Sequence, residues 1–349
     1  MEEERMERKC VFVNVEPSDE SGETYRTIRE TGCELILGVE GPGRRYTDDQ
    51  LIELCRNADA VTGGSREKFT RRVIESLPKL RVISKLGTGT DSIDVEAATE
   101  RGILVTHTPV NTVAVAEHTV ALILAGLKKV KEGDRKVREG GWRDADVLVT
   151  LMQNRTVGIL GFGRIGGEIA KRLQGWEMKI LAYDPYAQEE ALARYGVERC
   201  TNLVEMLERV DVLSINAVLT KETRHMIGEE ALRKLKKTAY VVNTSRGEII
   251  DEKALISALK EKRILGAALD VMEKEPPDQK NELLSLENVI LTPHMSAMAP
   301  EVNWALRYTA MENALTALGG EVPKYVKNPE VLKVWLAKFG KKTESSSGR

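Results

Sequence analysis

Short apolar, β-branched runs alternate with stretches in which apolar residues recur every three or four positions, along nearly all of the 349-residue chain. In the first third the strand-like runs are CVFVN (10–14), CELIL (33–37), ADAVT (58–62), RVIS (81–84) and ILVTH (103–107). Helical patterns such as TDDQLIELCRNA and TRRVIESL lie between them. A long helical pattern then runs from about Thr112 to Val130, and REGGWRDADVLVTLMQN breaks the rhythm. A second series follows: TVGIL (156–160), KILAYD (179–184), DVLSI (211–215), AYVVN (239–243), ILGAALD (264–270) and NVILT (288–292). Such alternation predicts parallel sheets with helices on their faces. Two series predict two doubly wound α/β domains. A last amphipathic pattern, about Glu301 to Leu318, is too short to be a domain and is expected to return to the first unit. The expected division is 1–111 with 297–335 as one discontinuous domain, 112–296 as a domain inserted in it, and 336–349 as a flexible tail.

Composition narrows the function classes. Lys and Arg total 52 against 54 Asp and Glu, a net charge of −2, so no global field draws the chain to nucleic acid. Aromatic residues make up 5%, few for base-stacking surfaces. Cys10, Cys33, Cys55 and Cys200 form no CxxC pair and read as free thiols of a reducing, cytoplasmic compartment. The start, MEEERMERKC, lacks the apolar core of a signal peptide, and TVALILAGL (119–127) is too short to span a bilayer. Neither nucleic acid nor membrane is expected as a partner, and no metal site is expected.

The most informative stretch is LGFGRIGGEIAKRL (160–173). A strand precedes Gly161 and a helical pattern follows Gly163, the context a GxGxxG motif needs to hold a dinucleotide. Gly161 suits the tight turn, Gly163 the approach of a pyrophosphate, and Gly166 the packing of helix on sheet. The phosphates would lie at the helix N-terminus. Asp184 closes the next strand, where its carboxylate can accept from ribose hydroxyls and would repel a 2′-phosphate. No Arg or Lys follows within DPYAQEE, so NAD is favoured over NADP.

Four segments, GILGFGRIGGEIAKRL, VVNTSRGEIIDEKAL, GAALDVMEKEP and ILTPHMSA, in this order and spacing, resemble the D-2-hydroxyacid dehydrogenase family, the D-isomer-specific NAD-dependent enzymes. The resemblance runs from about Cys10 to Glu330 and looks nearest to the phosphoglycerate, hydroxypyruvate and glyoxylate reductase branch. It implies two Rossmann-like or flavodoxin-like domains with the active-site cleft between them: a discontinuous substrate domain and an inserted NAD-binding domain. It implies a homodimer formed through the latter. His294 matches the catalytic histidine, Glu275 the acid paired with it, and Arg246 the arginine that binds the substrate carboxylate and keto oxygen. Cofactor contacts are implied for Gly161, Gly163, Arg164, Ile165, Gly166, Asp184, Thr244, Asp270 and Ser296, with Asp270 near the nicotinamide carboxamide. Ser296 stands where the family commonly has glycine.

The chemistry agrees with the resemblance. Reducing a 2-keto acid needs a hydride donor, a proton donor and a cation for the carboxylate. Histidine suits the proton role and arginine the planar carboxylate. The other histidines fit less well: His107 follows a strand and is a candidate to line the cleft, His118 lies in an apolar helical pattern and reads as a packed or interface residue, and His225 sits in a surface turn. In KLGTGTDSID (85–94), Gly87 and Gly89 would leave N–H groups exposed around Thr88 for a carboxylate, with Asp91 as a cap for the next helix. Asn111 is a candidate for the cleft or for capping the long helix. Arg66 is a thin candidate for a substrate phosphate. The expected activity is interconversion of a small 2-keto acid, of the hydroxypyruvate, glyoxylate or 3-phosphoglycerate type, with its D-2-hydroxy acid. Two rivals share the fold: an NAD(H)-sensing transcriptional corepressor, and a formate dehydrogenase, in which a glutamine usually stands where this chain has Glu275.

Overall fold

The computed structural model describes residues 8–13, 22–38, 46–64, 67–143 and 148–341. The chain divides into two units, Met1–Asn111 with Ala299–Arg349, and Thr112–Met298.

In the first unit, strands β1 (Lys9–Phe12), β2 (Glu34–Leu37), β3 (Ala60–Gly63), β4 (Val82–Lys85) and β5 (Leu104–Thr106) form a parallel sheet in the order β2-β1-β3-β4-β5. Helices α1 (Glu23–Glu30), α2 (Asp48–Cys55), α3 (Arg71–Glu75) and α4 (Val95–Glu100) connect them. Polar residues mark the helix starts. Thr47 and Gln50 form a capping box on α2, Thr70 caps α3, and Asp94 caps α4. The cap of α4 is thus Asp94, which stands next to the helix, and not Asp91.

The chain returns to this sheet through α12 (Pro300–Leu318) and α13 (Leu332–Phe339). Met311, Ala314, Ala317 and Leu318 of α12 pack with Cys10, Ala60, Val82 and Leu104 on one face of the sheet. Val61, Ile83 and Val105 point to the opposite face, against α2, α3 and α4. The buried Asn328 side chain accepts from Val105 N and donates to Ile103 O, closing the return. The flexible tail expected from residue 336 begins later. Trp335 is fully buried, its Nε1–H donates to Arg81 O, and its helix continues to Phe339, over which Arg81 lies at 5.1 Å. Residues 342–349 of that expectation lie outside the described residues.

In the second unit, β6 (Thr156–Leu160), β7 (Lys179–Tyr183), β8 (Glu198–Arg199), β9 (Val212–Ile215), β10 (Tyr240–Asn243), β11 (Gly266–Leu269) and β12 (Val289–Leu291) form a seven-stranded parallel sheet in the order β12-β11-β10-β9-β6-β7-β8. The order reverses between β6 and β9, the switch point at which α/β sheets bind ligands. Helices α5 (Thr112–Leu127), α6 (Val130–Arg138), α7 (Arg164–Leu173), α8 (Glu189–Ala193), α9 (Leu203–Arg209), α10 (Glu229–Lys234) and α11 (Glu252–Lys260) complete the unit. The pattern expected as one helix to Val130 is two. Lys129 takes a left-handed conformation, φ +49°, where the apolar, mostly buried α5 gives way to α6, which has no buried residue.

Candidate active site

The candidate side chains of the second unit stand at the C-terminal ends of its strands. After β6 the chain turns at Gly161, φ +89°, and α7 opens at Arg164. A Cβ on Gly161 would lie 2.6 Å from the backbone of Ala217, just beyond β9, and one on Gly166 would lie 2.7 Å from Gly161 O. Close packing at the switch point therefore demands both glycines. Gly163 precedes α7 without a side-chain cap, and nothing lies within 4 Å of where its Cβ would stand. Gly167 N donates to Gly163 O, so the amides of the exposed Arg164, the half-buried Ile165 and the buried Gly166 leave the helix end without an intrahelical acceptor. Such an end fits the pyrophosphate of a dinucleotide.

Asp184 follows β7. Its carboxylate accepts from Phe162 N and Tyr186 N, each at 2.8 Å. This fastens it to the glycine loop and leaves lone pairs for a ribose diol. One cation escaped the sequence reading. Arg199, from β8, donates to Asp184 O and Ala187 O and pairs with Glu189, so all three guanidinium nitrogens are engaged.

The loop after β10 carries Thr244 and Arg246. The buried Asn243 shapes it, with Oδ1 accepting from Ser245 N and Nδ2 donating to Arg246 O. Arg246 is half-buried and Nη1 donates to Ser245 O at 2.7 Å. A Cβ on Gly247 would lie 2.0 Å from Met272 C, so this loop lies directly against the one after β11. That second loop is stapled to α11: Glu252 N donates to Glu273 and Glu273 N to Glu252. It presents Glu275, which accepts from Met272 N through Oε1 and from His294 Nδ1–H through Oε2 at 2.8 Å. Because a carboxylate can only accept, Nδ1 carries the proton and Nε2 is the nitrogen left for other partners. Asn243, Gly247, Glu252 and Glu273 were not singled out in the sequence. The asparagine and glycine flanking TSR were the available signal.

His294 takes a left-handed backbone conformation, φ +52°. Its N–H donates to Asp270 O at 2.8 Å and to Thr292 O at 3.0 Å. Asp270 is fully buried at the end of β11, and its carboxylate accepts from Thr292 Oγ1, Met295 N and Ser296 N at 2.5, 2.9 and 3.0 Å. Burial by itself raises the pKa of this carboxyl. His118, Thr292 and the two amides outweigh burial and hold it well below the usual carboxylate range. Ser296 is buried, as is Thr244, whose hydroxyl meets Thr119 Oγ1 at 2.8 Å. His225 pairs with Glu273 at 2.8 Å and so braces the second loop.

In the first unit the loop after β4 turns at Gly87, φ +112°. The expectation that Gly87 leaves its amide exposed is corrected. Gly87 N donates to Thr108 Oγ1 at 2.7 Å, because Thr108 lies alongside it and in turn donates its own amide to Gly87 O. The amides of Thr88 and Gly89 are those that can still donate outward. Thr88 Oγ1 reaches Asn111 Oδ1 and Thr88 O meets His107 Nδ1, so both side chains brace this loop. Arg66 lies outside the described residues.

The family model of the D-isomer specific 2-hydroxyacid dehydrogenase NAD-binding domain matches residues 120–296. The chain is also 43% identical over 289 residues, 81% of its own length and 87% of the relative's, to a glyoxylate reductase of Korarchaeum cryptofilum (strain OPF8). The chain belongs to this family. It is an NAD-dependent D-2-hydroxyacid dehydrogenase, and the glycine loop with Asp184 fits that cofactor. It is 41% identical over 283 residues to a D-3-phosphoglycerate dehydrogenase of Methanocaldococcus jannaschii, covering 81% of this chain and 54% of the relative. The crystal structure of a glyoxylate reductase from Paecilomyes thermophila superposes with a TM-score of 0.83 at 27% identity, over 93% of this chain and 99% of the other. Among the described residues no helix is long and apolar enough to cross a membrane.

Proposed function

We propose that this dehydrogenase reduces glyoxylate or hydroxypyruvate to the corresponding 2-hydroxy acid, of D configuration where that carbon is stereogenic, and runs the reverse oxidation. The observation that carries the reading is the His294–Glu275 pair, held in the unit that also carries the uncapped glycine-loop helix and Arg246. Bound NADH supplies the hydride for the keto carbon. Glu275 commits His294 Nδ1, so Nε2 gives the proton to the carbonyl oxygen as charge develops there, and takes it back in the oxidation. One hydride and one proton thus convert C=O to CH–OH. Arg246 offers a planar fork of donors to the substrate carboxylate. Thr244, Asp270 and Ser296 serve the nicotinamide end.

The small-acid reading draws support from the relatives named glyoxylate reductase, of which that of Korarchaeum is 43% identical over 81% of this chain. A homodimer through the NAD-binding unit is supported by the exposed apolar side chains Val130, Val137, Trp142, Leu148, Val149 and Leu151 on a single stretch of chain. The four cysteines, free among the described residues, suit a reducing cytoplasm. The test is NADH turnover with glyoxylate, hydroxypyruvate, pyruvate and phosphohydroxypyruvate. The first two should show the highest kcat/KM. A preference for phosphohydroxypyruvate would overturn the substrate assignment, and absence of turnover with all four would favour an NAD(H) sensor.

A further inference from the structure

His118 lies within α5, a largely apolar helix, yet its ring is not packed against apolar groups alone. Nε2 stands 3.2 Å from Thr292 Oγ1 and 3.6 Å from Asp270 Oδ1. The threonine hydroxyl has a single proton, and its 2.5 Å contact with Asp270 Oδ1 uses it, since a carboxylate only accepts. The proton between His118 and Thr292 must therefore come from the histidine. Nε2–H donates to Oγ1, and the hydroxyl is turned toward Asp270.

Asp270 is the post to which the His294 loop is tied. Its carboxylate and carbonyl together accept from Thr292 Oγ1, His294 N, Met295 N and Ser296 N. These bonds hold His294 at φ +52°, a conformation that side chains with a Cβ adopt only when the surroundings impose it. Next to His118 on the same helix, Thr119 meets Thr244 at the root of the Arg246 loop. Two consecutive residues of α5 thus reach two strand-end loops.

We propose that His118 is a positioning residue for the reaction: by donating Nε2–H to Thr292 it locks the Thr292–Asp270 contact and so fixes the loop that presents His294. The functional part of this inference rests on the reading of His294 as the proton donor. The structural part does not.

The experiment compares His118→Gln, His118→Phe, Thr292→Val and the double variant His118→Phe/Thr292→Val in the full-length enzyme. Glutamine keeps an N–H donor near the position of Nε2, whereas phenylalanine removes it. His118→Phe should lower kcat at least about tenfold, the scale of one buried hydrogen bond left unmade, while the NADH dissociation constant stays within threefold. Amide exchange at His294, Met295 and Ser296 should quicken by a similar factor. His118→Gln should recover most of both properties. Thr292→Val should reproduce His118→Phe, and the double variant should be no worse than either, because both cut the same link. Thr292→Val also serves if His118→Phe folds poorly. Unchanged exchange at residues 294–296 in His118→Phe, failure of glutamine to rescue, or additive losses in the double variant would each overturn the proposal. A His294→Asn enzyme that still turns over would instead defeat the reading of His294, and the exchange data would then decide the structural claim alone.

Discussion

Two glycine loops in this protein begin alike and end differently. Both follow a parallel strand, β4 in the first unit and β6 in the second, and both turn on a glycine with positive φ, +112° at Gly87 and +89° at Gly161. After Gly161 a ten-residue helix opens within three residues and has no side-chain cap. After Gly87 the next helix begins at Val95 and is already capped by Asp94, while the glycine's own amide is spent on Thr108. A strand followed by glycine is therefore not by itself a dinucleotide site. It becomes one where the turn delivers the chain at once into a helix whose N-terminal amides are left for the ligand. The Gly87 loop retains two amides, enough to assist a carboxylate but not to cradle a pyrophosphate.

The contrast is most easily broken at the glycines themselves. Gly161→Val adds a side chain where φ is positive and where even a Cβ would meet the Ala217 backbone at 2.6 Å. NADH affinity should fall at least about a hundredfold, the scale of roughly 3 kcal/mol from strain and a displaced loop. Gly87→Ala meets only the Lys85 ammonium, at 3.6 Å, so its cost should be backbone strain of about 1–2 kcal/mol, with NADH affinity kept. Titration of NADH fluorescence together with thermal melts separates the two. Equal effects on NADH would erase the distinction drawn between the loops.

Arg246→Lys tests the proposal that the loop after β10 holds the substrate anion. Charge is kept but the bidentate fork is lost. The expected loss is about tenfold to a hundredfold in kcat/KM, from roughly 1.5–3 kcal/mol for a charged hydrogen bond. Steady-state kinetics that match wild type would remove Arg246 from the substrate site.

Asp270→Asn tests the post to which the His294 loop is tied. An asparagine amide can present a donor to the N–H groups of Met295 or Ser296, so about 1–3 kcal/mol of stability should be lost at pH 7. The wild-type carboxyl is held below its unfolded value, so its contribution is complete above an ordinary carboxylate pKa of about 4 and disappears as pH falls through and below that range. Denaturant midpoints should therefore differ most at neutral pH and draw together only as pH falls below about 4 toward the lowered pKa of the folded state. A gap that widens in acid would contradict the assignment.

The smallest expected effect is at Asp184→Ala. The ribose hydroxyls lose an acceptor and a 2′-phosphate loses its repulsion, so the ratio of kcat/KM for NADH over NADPH should fall about tenfold. Arg199 limits any gain with NADPH, because its guanidinium is occupied by Glu189 and two carbonyls. A wild-type preference for NADPH would defeat the reading of Asp184.

Much of this was legible along the chain because it is local. Among the described residues, eleven of the twelve strands stand where runs of β-branched residues foretold them, since fully buried parallel strands must be apolar on both faces. The missing one, β8, is two residues long and carries no such run. The glycine loop and the TPH turn were visible because each packs its requirement into a few consecutive residues. His118 read as a packed helix residue because its partners, Thr292 and Asp270, lie more than 150 positions away. Arg199 stands well beyond DPYAQEE in the chain, and only the pairing of β7 with β8 brings it back to Asp184.

The sequence by itself determined the two α/β series and the glycine turn that only a residue without a side chain can make, and it put forward His294, Glu275 and Arg246 as candidates. Each depends on residue type and on spacing within one element or its ends. Tertiary structure alone decided how those groups are used. It turned His294 Nδ1 to Glu275, made Asp270 the anchor of the loop, spent the Gly87 amide on Thr108 and put α13 into the first unit's core. The physical reason is that hydrogen bonds and buried charges are settled by whichever groups the packed sheets bring within about 3 Å, and those groups come from strands far apart in the chain.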